Sequence, residues 1–104
     1  MNREQHLLVK VSEECSEISQ VACKAVIFGP NNHAPNDYFT NSENIMIEFY
    51  QLSEVIKLLQ EEGTLPVFSD EDIKEIQINK RNKINRYMEQ SISLGYTRRK
   101  RREV

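Results

Sequence analysis

The chain has 104 residues, a net charge of -2 and 38% apolar residues. That length suits one small domain rather than two, and so small and polar a chain buries little surface alone, which favours association with copies of itself. The charge balance excludes a molecule drawn as a whole to nucleic acid, and with neither a secretory signal nor an apolar run near the ~18 residues of a membrane span, a soluble cytoplasmic protein is expected.

The first predicted element runs from about Glu4 to Phe28. Leu7, Leu8, Val11, Cys15, Ile18, Ala22 and Ala25 recur at the three- and four-residue intervals of a helix. Gly29-Pro30 ends it, because glycine accepts the left-handed cap and proline cannot continue the ladder. Cys15 and Cys23 lie on this helix, about 12 Å apart along its axis, too far to bridge, and read as small buried thiols. His6 and His33 have no metal-ligand spacing and read as surface or loop residues.

The stretch "GPNNHAPNDYFTNS" is a loop by its Asn, Gly and Pro content. Tyr38 and Phe39 interrupt its polarity. A second helix begins near Asn41, where Thr40 and Glu43 have the spacing of a capping box. Its stripe is Ile45, Phe49, Leu52, Val55, Ile56 and Leu59, and Gly63 and Pro66 stop it. The third helix opens at Ser69, a natural N-cap, with Asp70, Glu71 and Asp72 at the positive end of its dipole. Ile73, Ile76, Ile84, Tyr87, Met88 and Ile92 carry it to Gly95. No segment alternates like a strand. The predicted fold is all-α, an antiparallel bundle of three to four long helices completed by oligomerisation. It occupies residues 1–96 as a single domain, followed by a basic tail over 97–104. The tail, "TRRKRREV", has no aromatic to stack on bases, so it reads as a solubilising terminus with at most weak hold on nucleic acid.

The acids of the first two helices are out of place. With Glu14 at zero on a wheel of about 100° per residue, Leu7, Ala25 and Val21 fall within roughly 20° and Ile18 within roughly 40°. Glu17 and Lys24 lie together at the edge of that arc. On the second helix Leu59 and Val55 flank Glu48 within roughly 20°, with Gln51 one turn on and Glu54 roughly 60° further round. An ionised carboxylate buried without a partner costs several kcal/mol. If the two faces meet, the acids need something positive between them. Lys24 is one choice; a hard divalent cation, Mg²⁺ or Mn²⁺, is a better one.

The segments "EECSEISQVACKAVIFG" and "NSENIMIEFYQLSEVIKLL", with the closing "KINRYMEQSISLGY", resemble the MazG-like all-α nucleoside triphosphate pyrophosphohydrolases, in particular the short bacteriophage-encoded type. The likeness covers roughly residues 7–96. In that family an E-x-x-E on one helix and an E-x-x-D on the next together hold Mg²⁺. The first motif is matched by Glu14 and Glu17, preceded by Glu13, and the second begins at Glu48. Lys24, Phe28-Gly29 and Asn41 fit the phage-type pattern, so the domain is expected to be MazG-like and, if phage-encoded, to work in the host cytoplasm. Two positions depart. Gln51 stands where Asp is expected and offers a carbonyl without charge. Ile27 stands where a basic residue is common.

The resemblance implies Mg²⁺-dependent hydrolysis of an NTP or dNTP to a monophosphate and pyrophosphate, weakened by Gln51. Glu14, Glu17 and Glu48 would be the metal ligands, with Gln51 as a polar accessory. Glu17, with Glu14, would serve the attacking water. Lys24 would contact phosphate, or pair with Gln20 or Glu17 along the helix. Asn41 would position the nucleotide, or simply cap the helix. Tyr38 or Phe39 would stack on the base, or anchor the loop. The family builds its sites in homodimers or homotetramers. The rival expectation is a nucleotide-binding or partner-binding protein of the same fold that has lost turnover.

Overall fold

The computed structural model describes residues 1–99. It contains three helices, α1 (Arg3–Phe28), α2 (Asn41–Glu61) and α3 (Asp70–Ser93), and no strand among the described residues. None of these helices is long and apolar enough to cross a membrane. The chain divides into two compact units, Met1–Pro66 and Val67–Val104.

In the first unit each helix start is closed by side chains that the sequence supplies locally. Asn2 Oδ1 accepts the Gln5 backbone N–H at 2.8 Å, and Gln5 Oε1 accepts the Asn2 N–H at 3.0 Å. This reciprocal cap starts α1 at Arg3, slightly ahead of the apolar periodicity. At its other end Gly29 adopts φ 91°, and its N–H reaches the Ala25 carbonyl at 3.0 Å. The predicted capping box on α2 is formed: Thr40 Oγ1 accepts the Glu43 N–H at 3.2 Å, and Glu43 Oε1 accepts the Thr40 N–H at 3.0 Å.

The loop between α1 and α2 is stitched to both. Asn41 N–H donates to the Asn32 carbonyl at 2.8 Å, Ser42 N–H to the Pro30 carbonyl at 2.9 Å, and Asn41 Nδ2 to the Gly29 carbonyl at 2.9 Å. The exit of α1 therefore meets the entry of α2. At the far end Arg3 pairs with Glu62, just past α2. The two helices run antiparallel, and their deepest apolar side chains, Leu7 and Leu59, share the Arg3–Glu62 end. Ile18, Val21, Ala22 and Ala25 of α1 and Ile45, Leu52, Val55 and Ile56 of α2 are half-buried.

The cysteines correct an expectation. Cys15 and Cys23 are free, as their separation requires, but both are exposed rather than buried. They lie roughly 100° and 180° round the wheel from Glu14, outside the arc that α2 covers. Phe49, roughly 100° from Glu48 on α2, is likewise 48% exposed despite its place in the predicted stripe.

In the second unit Ser69 caps α3 as its position predicts, its Oγ accepting the Asp72 N–H at 3.1 Å. Gly95, with φ 81°, follows the helix end. The first residues of the basic tail fold back on the last turns of α3. Arg99 grips Glu89 with two hydrogen bonds of 2.8 and 2.9 Å, and the Thr97 and Ser91 hydroxyls lie 2.6 Å apart. The remainder of the tail, residues 100–104, lies outside the described residues. No residue of α3 is buried, although the predicted apolar stripe is present.

Candidate metal centre

Three acids from two helices converge midway along the α1–α2 pair. Glu14, Glu17 and Glu48 each offer a carboxylate oxygen within 4.8 Å of the others. Glu14 and Glu48 are half-buried and Glu17 is exposed, as their places on the wheels require. Glu14 Oε2 and Glu48 Oε2 are both shut off from solvent, and neither has a hydrogen-bond partner among the described residues. An unsatisfied buried carboxylate oxygen is a large local penalty, and here two occur in one cluster.

The charges reinforce this. Burial first, and then the neighbouring Glu17 and Glu14, push the Glu48 carboxyl up from its ordinary 4.5 to about 7. Among the described residues no lysine or arginine forms an ion pair with the three acids. Lys10, the cation on that flank of α1, binds Glu13 instead at 2.9 Å. Lys24 pairs with none of them, so a lysine bridge between the acids is not formed.

The donor set suits a hard divalent ion. Three carboxylates supply oxygen ligands and negative charge and leave further positions for water or phosphate oxygen, the mode of binding Mg²⁺ and Mn²⁺ prefer. Such an ion would also give the two orphaned oxygens a partner. Glu14, Glu17 and Glu48 are therefore the residues that would hold it.

The other predicted site residues lie along α2 and at the loop end of the pair, outside this cluster. Arg3 is level with Glu62, and Glu17 with Glu48. That register puts Gln51 level with Glu14 along the antiparallel pair, where Gln51 is exposed. Lys24 and Asn41 line a separate cleft at the loop end, together with Phe28, Asn32, His33, Ala34 and Pro35. Asn41 is 8% exposed, and its amide nitrogen is engaged by the Gly29 carbonyl, so it holds the helix junction as well as lining the cleft. Tyr38 is 91% exposed, with its ring edge-on to Phe39 at 5.3 Å.

Sequence reasoning missed the cleft. His33 reads as an ordinary loop residue, and Phe28 as the end of the first helix and, with Gly29, part of the phage-type pattern. The available signal was Gly29-Pro30, which turns the chain so that residues 32–35 come back over the last turn of α1. Asp37 was missed too. Its carboxylate accepts the Phe39 N–H at 2.9 Å and the Asn44 side-chain amide at 2.8 Å. Those two bonds, with the nearby His33 and Lys24, hold it below the usual carboxylate range. Scanned against protein-family models, curated proteins and solved structures, the chain matches none of them.

Proposed function

We propose that the protein is a divalent-metal-dependent nucleotide pyrophosphohydrolase of the MazG-like kind, converting a nucleoside triphosphate to a monophosphate and pyrophosphate. The observation that carries this reading is the pair of buried, unpartnered oxygens on Glu14 and Glu48 beside Glu17. The likeness of the quoted motifs supplies the reaction class. A bound Mg²⁺ or Mn²⁺ would offset the charge of the triphosphate and polarise a phosphoryl oxygen. Glu14 and Glu48 hold their carboxylates in place from within packed helix faces. Glu17, the exposed member, is placed to orient a water and accept its proton. Lys24, two turns beyond Glu17 on α1, is placed to meet phosphate.

Gln51 sets the rival reading. It occupies the level of Glu14 without adding charge, so the site holds its cation with three carboxylates rather than four. Weak turnover follows, and a protein that binds nucleotide without cleaving it is the alternative. On either reading the half-exposed apolar residues of both units favour assembly into a homo-oligomer, a dimer or tetramer, that completes the bundle.

The test is product release. The protein is incubated with NTPs and dNTPs and Mg²⁺ or Mn²⁺, and pyrophosphate is measured. We expect metal-dependent release that falls roughly a thousandfold in Glu48→Ala, the scale of several kcal/mol of lost metal assistance. Nucleotide-dependent thermal stabilisation with no pyrophosphate would select the binding protein. Metal-independent release that survives Glu48→Ala would remove the metal centre.

A further inference from the structure

The cleft at the loop end of the α1–α2 pair has a volume of about 360 Å³. That is near the lower end for small-molecule sites, with room for part of a nucleotide rather than all of it. Phe28, Ala34 and Pro35 make its walls mostly apolar, and Phe28 leaves 62% of its surface exposed. The polar groups around it are largely committed to the backbone. Asn41 Nδ2 is held by the Gly29 carbonyl, Asn32 Nδ2 by the Phe28 carbonyl, and His33 Nδ1 lies 2.9 Å from the Ala34 carbonyl. Lys24 is the cation of the cleft.

Position matters as much as lining. Lys24 stands seven residues beyond Glu17 on one continuous helix. That is roughly 10.5 Å along the axis and roughly 20° round it, so the two share a face. An apolar slot with one cation beside it, followed two turns later by an acid cluster that calls for a divalent ion, has the charge order of a particular ligand. A flat ring fits the slot, an anionic chain passes the lysine, and a metal binds the end of that chain.

We infer that this cleft seats the heterocyclic ring of a nucleotide, with the phosphate chain running along α1 past Lys24 to Glu17, Glu14 and Glu48; the inference rests on the metal reading of those acids. The ring lies against Phe28 and is bounded by Ala34 and Pro35. Base selectivity then belongs to the loop over residues 32–35 and not to the carboxylates.

The experiment compares two ligands that share phosphate chemistry but differ in the ring. Full-length protein is titrated calorimetrically, with Ca²⁺ replacing Mg²⁺ to slow turnover, using common NTPs and dNTPs and inorganic tripolyphosphate. At least one nucleotide should bind about tenfold tighter than tripolyphosphate, the scale of one stacked ring. Phe28→Ala should remove that advantage and leave tripolyphosphate binding unchanged. Ala34→Phe, which fills the slot from the loop, should do the same, and helix content by circular dichroism verifies that each variant folds. Glu48→Gln should weaken both ligands. Equal binding of nucleotide and tripolyphosphate by the unaltered protein overturns the ring seat while sparing the metal centre. So does a nucleotide advantage that survives both cleft variants. Failure of both ligands to bind overturns the metal reading and the ring seat together.

Discussion

α2 and α3 are written in the same idiom and end up in different surroundings. Each opens on a hydroxyl cap, Thr40 or Ser69, each carries an acid in its first turn, and each repeats apolar residues at helical spacing. Yet Leu59 of α2 is completely buried, while Ile76, Ile84 and Tyr87 of α3 are all about half exposed. The acids differ in the same way. Glu48 sits inside the apolar face of α2 with an oxygen that finds no partner among the described residues, whereas Glu89 of α3 is exposed and held by Arg99. Period and caps therefore determine that a helix forms. Whether its stripe becomes a core, and whether an acid on it becomes a site, depends on what that stripe meets. α2 meets α1.

Truncation should expose this difference most strongly. Leu59→Ala removes a fully buried side chain from a small core, and we expect it to cost about 3 kcal/mol in denaturant unfolding. Ile84→Ala, on the half-exposed stripe of α3, should cost no more than about 0.5 kcal/mol in dilute protein. Equal losses would break the comparison and mean that α3 is covered in solution. A loss at Ile84 that grows with protein concentration would identify another copy of the chain as the cover.

Much of this was legible in the sequence, and for definite reasons. Three helices, their caps at Thr40 and Ser69 and their glycine ends are encoded within a few residues of each boundary. The burial of Glu14 and Glu48 follows from angle arithmetic on single helices, and their convergence required only that the two faces meet. What stayed hidden is what depends on neighbours distant in the chain. The exposure of Cys15, Cys23 and Phe49 reflects how narrow an arc one partner helix covers. The cleft beside Lys24 comes from a loop whose path is set by bonds from Asn41 and Ser42 back to residues 29–32, and no local pattern announces such a path.

Electrostatic substitutions sharpen the contrast at smaller cost. The Glu48 carboxyl is raised to about 7 in the fold from an ordinary 4.5, so its protonated form is the one the fold favours. That contribution is full below pH 4.5 and is lost as pH rises through 7. Glu48→Gln keeps the shape and drops the charge, so in the absence of metal we expect it to stabilise the protein at pH 8 by up to about 2 kcal/mol, allowing for partial exposure. It should do little at pH 4. Glu89→Gln should shift stability slightly the other way at pH 8, because it breaks the exposed pair with Arg99. A Glu48→Gln protein less stable than its parent at pH 8 without metal would show that the three acids do not repel one another. The caps should be nearly indifferent to region: Thr40→Ala and Ser69→Ala each remove one capping bond, worth about 1 kcal/mol, whether or not the stripe beyond is buried.

The finest test counts protons. A divalent ion takes carboxylates in their ionised form, so Glu48 must give up its proton when the ion binds. With a carboxyl titrating at about 7, close to one proton should leave per ion bound at pH 6, and only about a tenth of one at pH 8. The heat of Mg²⁺ or Mn²⁺ binding at pH 6 should therefore change with the ionisation enthalpy of the buffer, and at pH 8 it should barely change. Affinity should fall about tenfold for each pH unit below 7, as the proton and the ion compete for one oxygen. A buffer-independent heat at pH 6 would therefore place the ion away from Glu48.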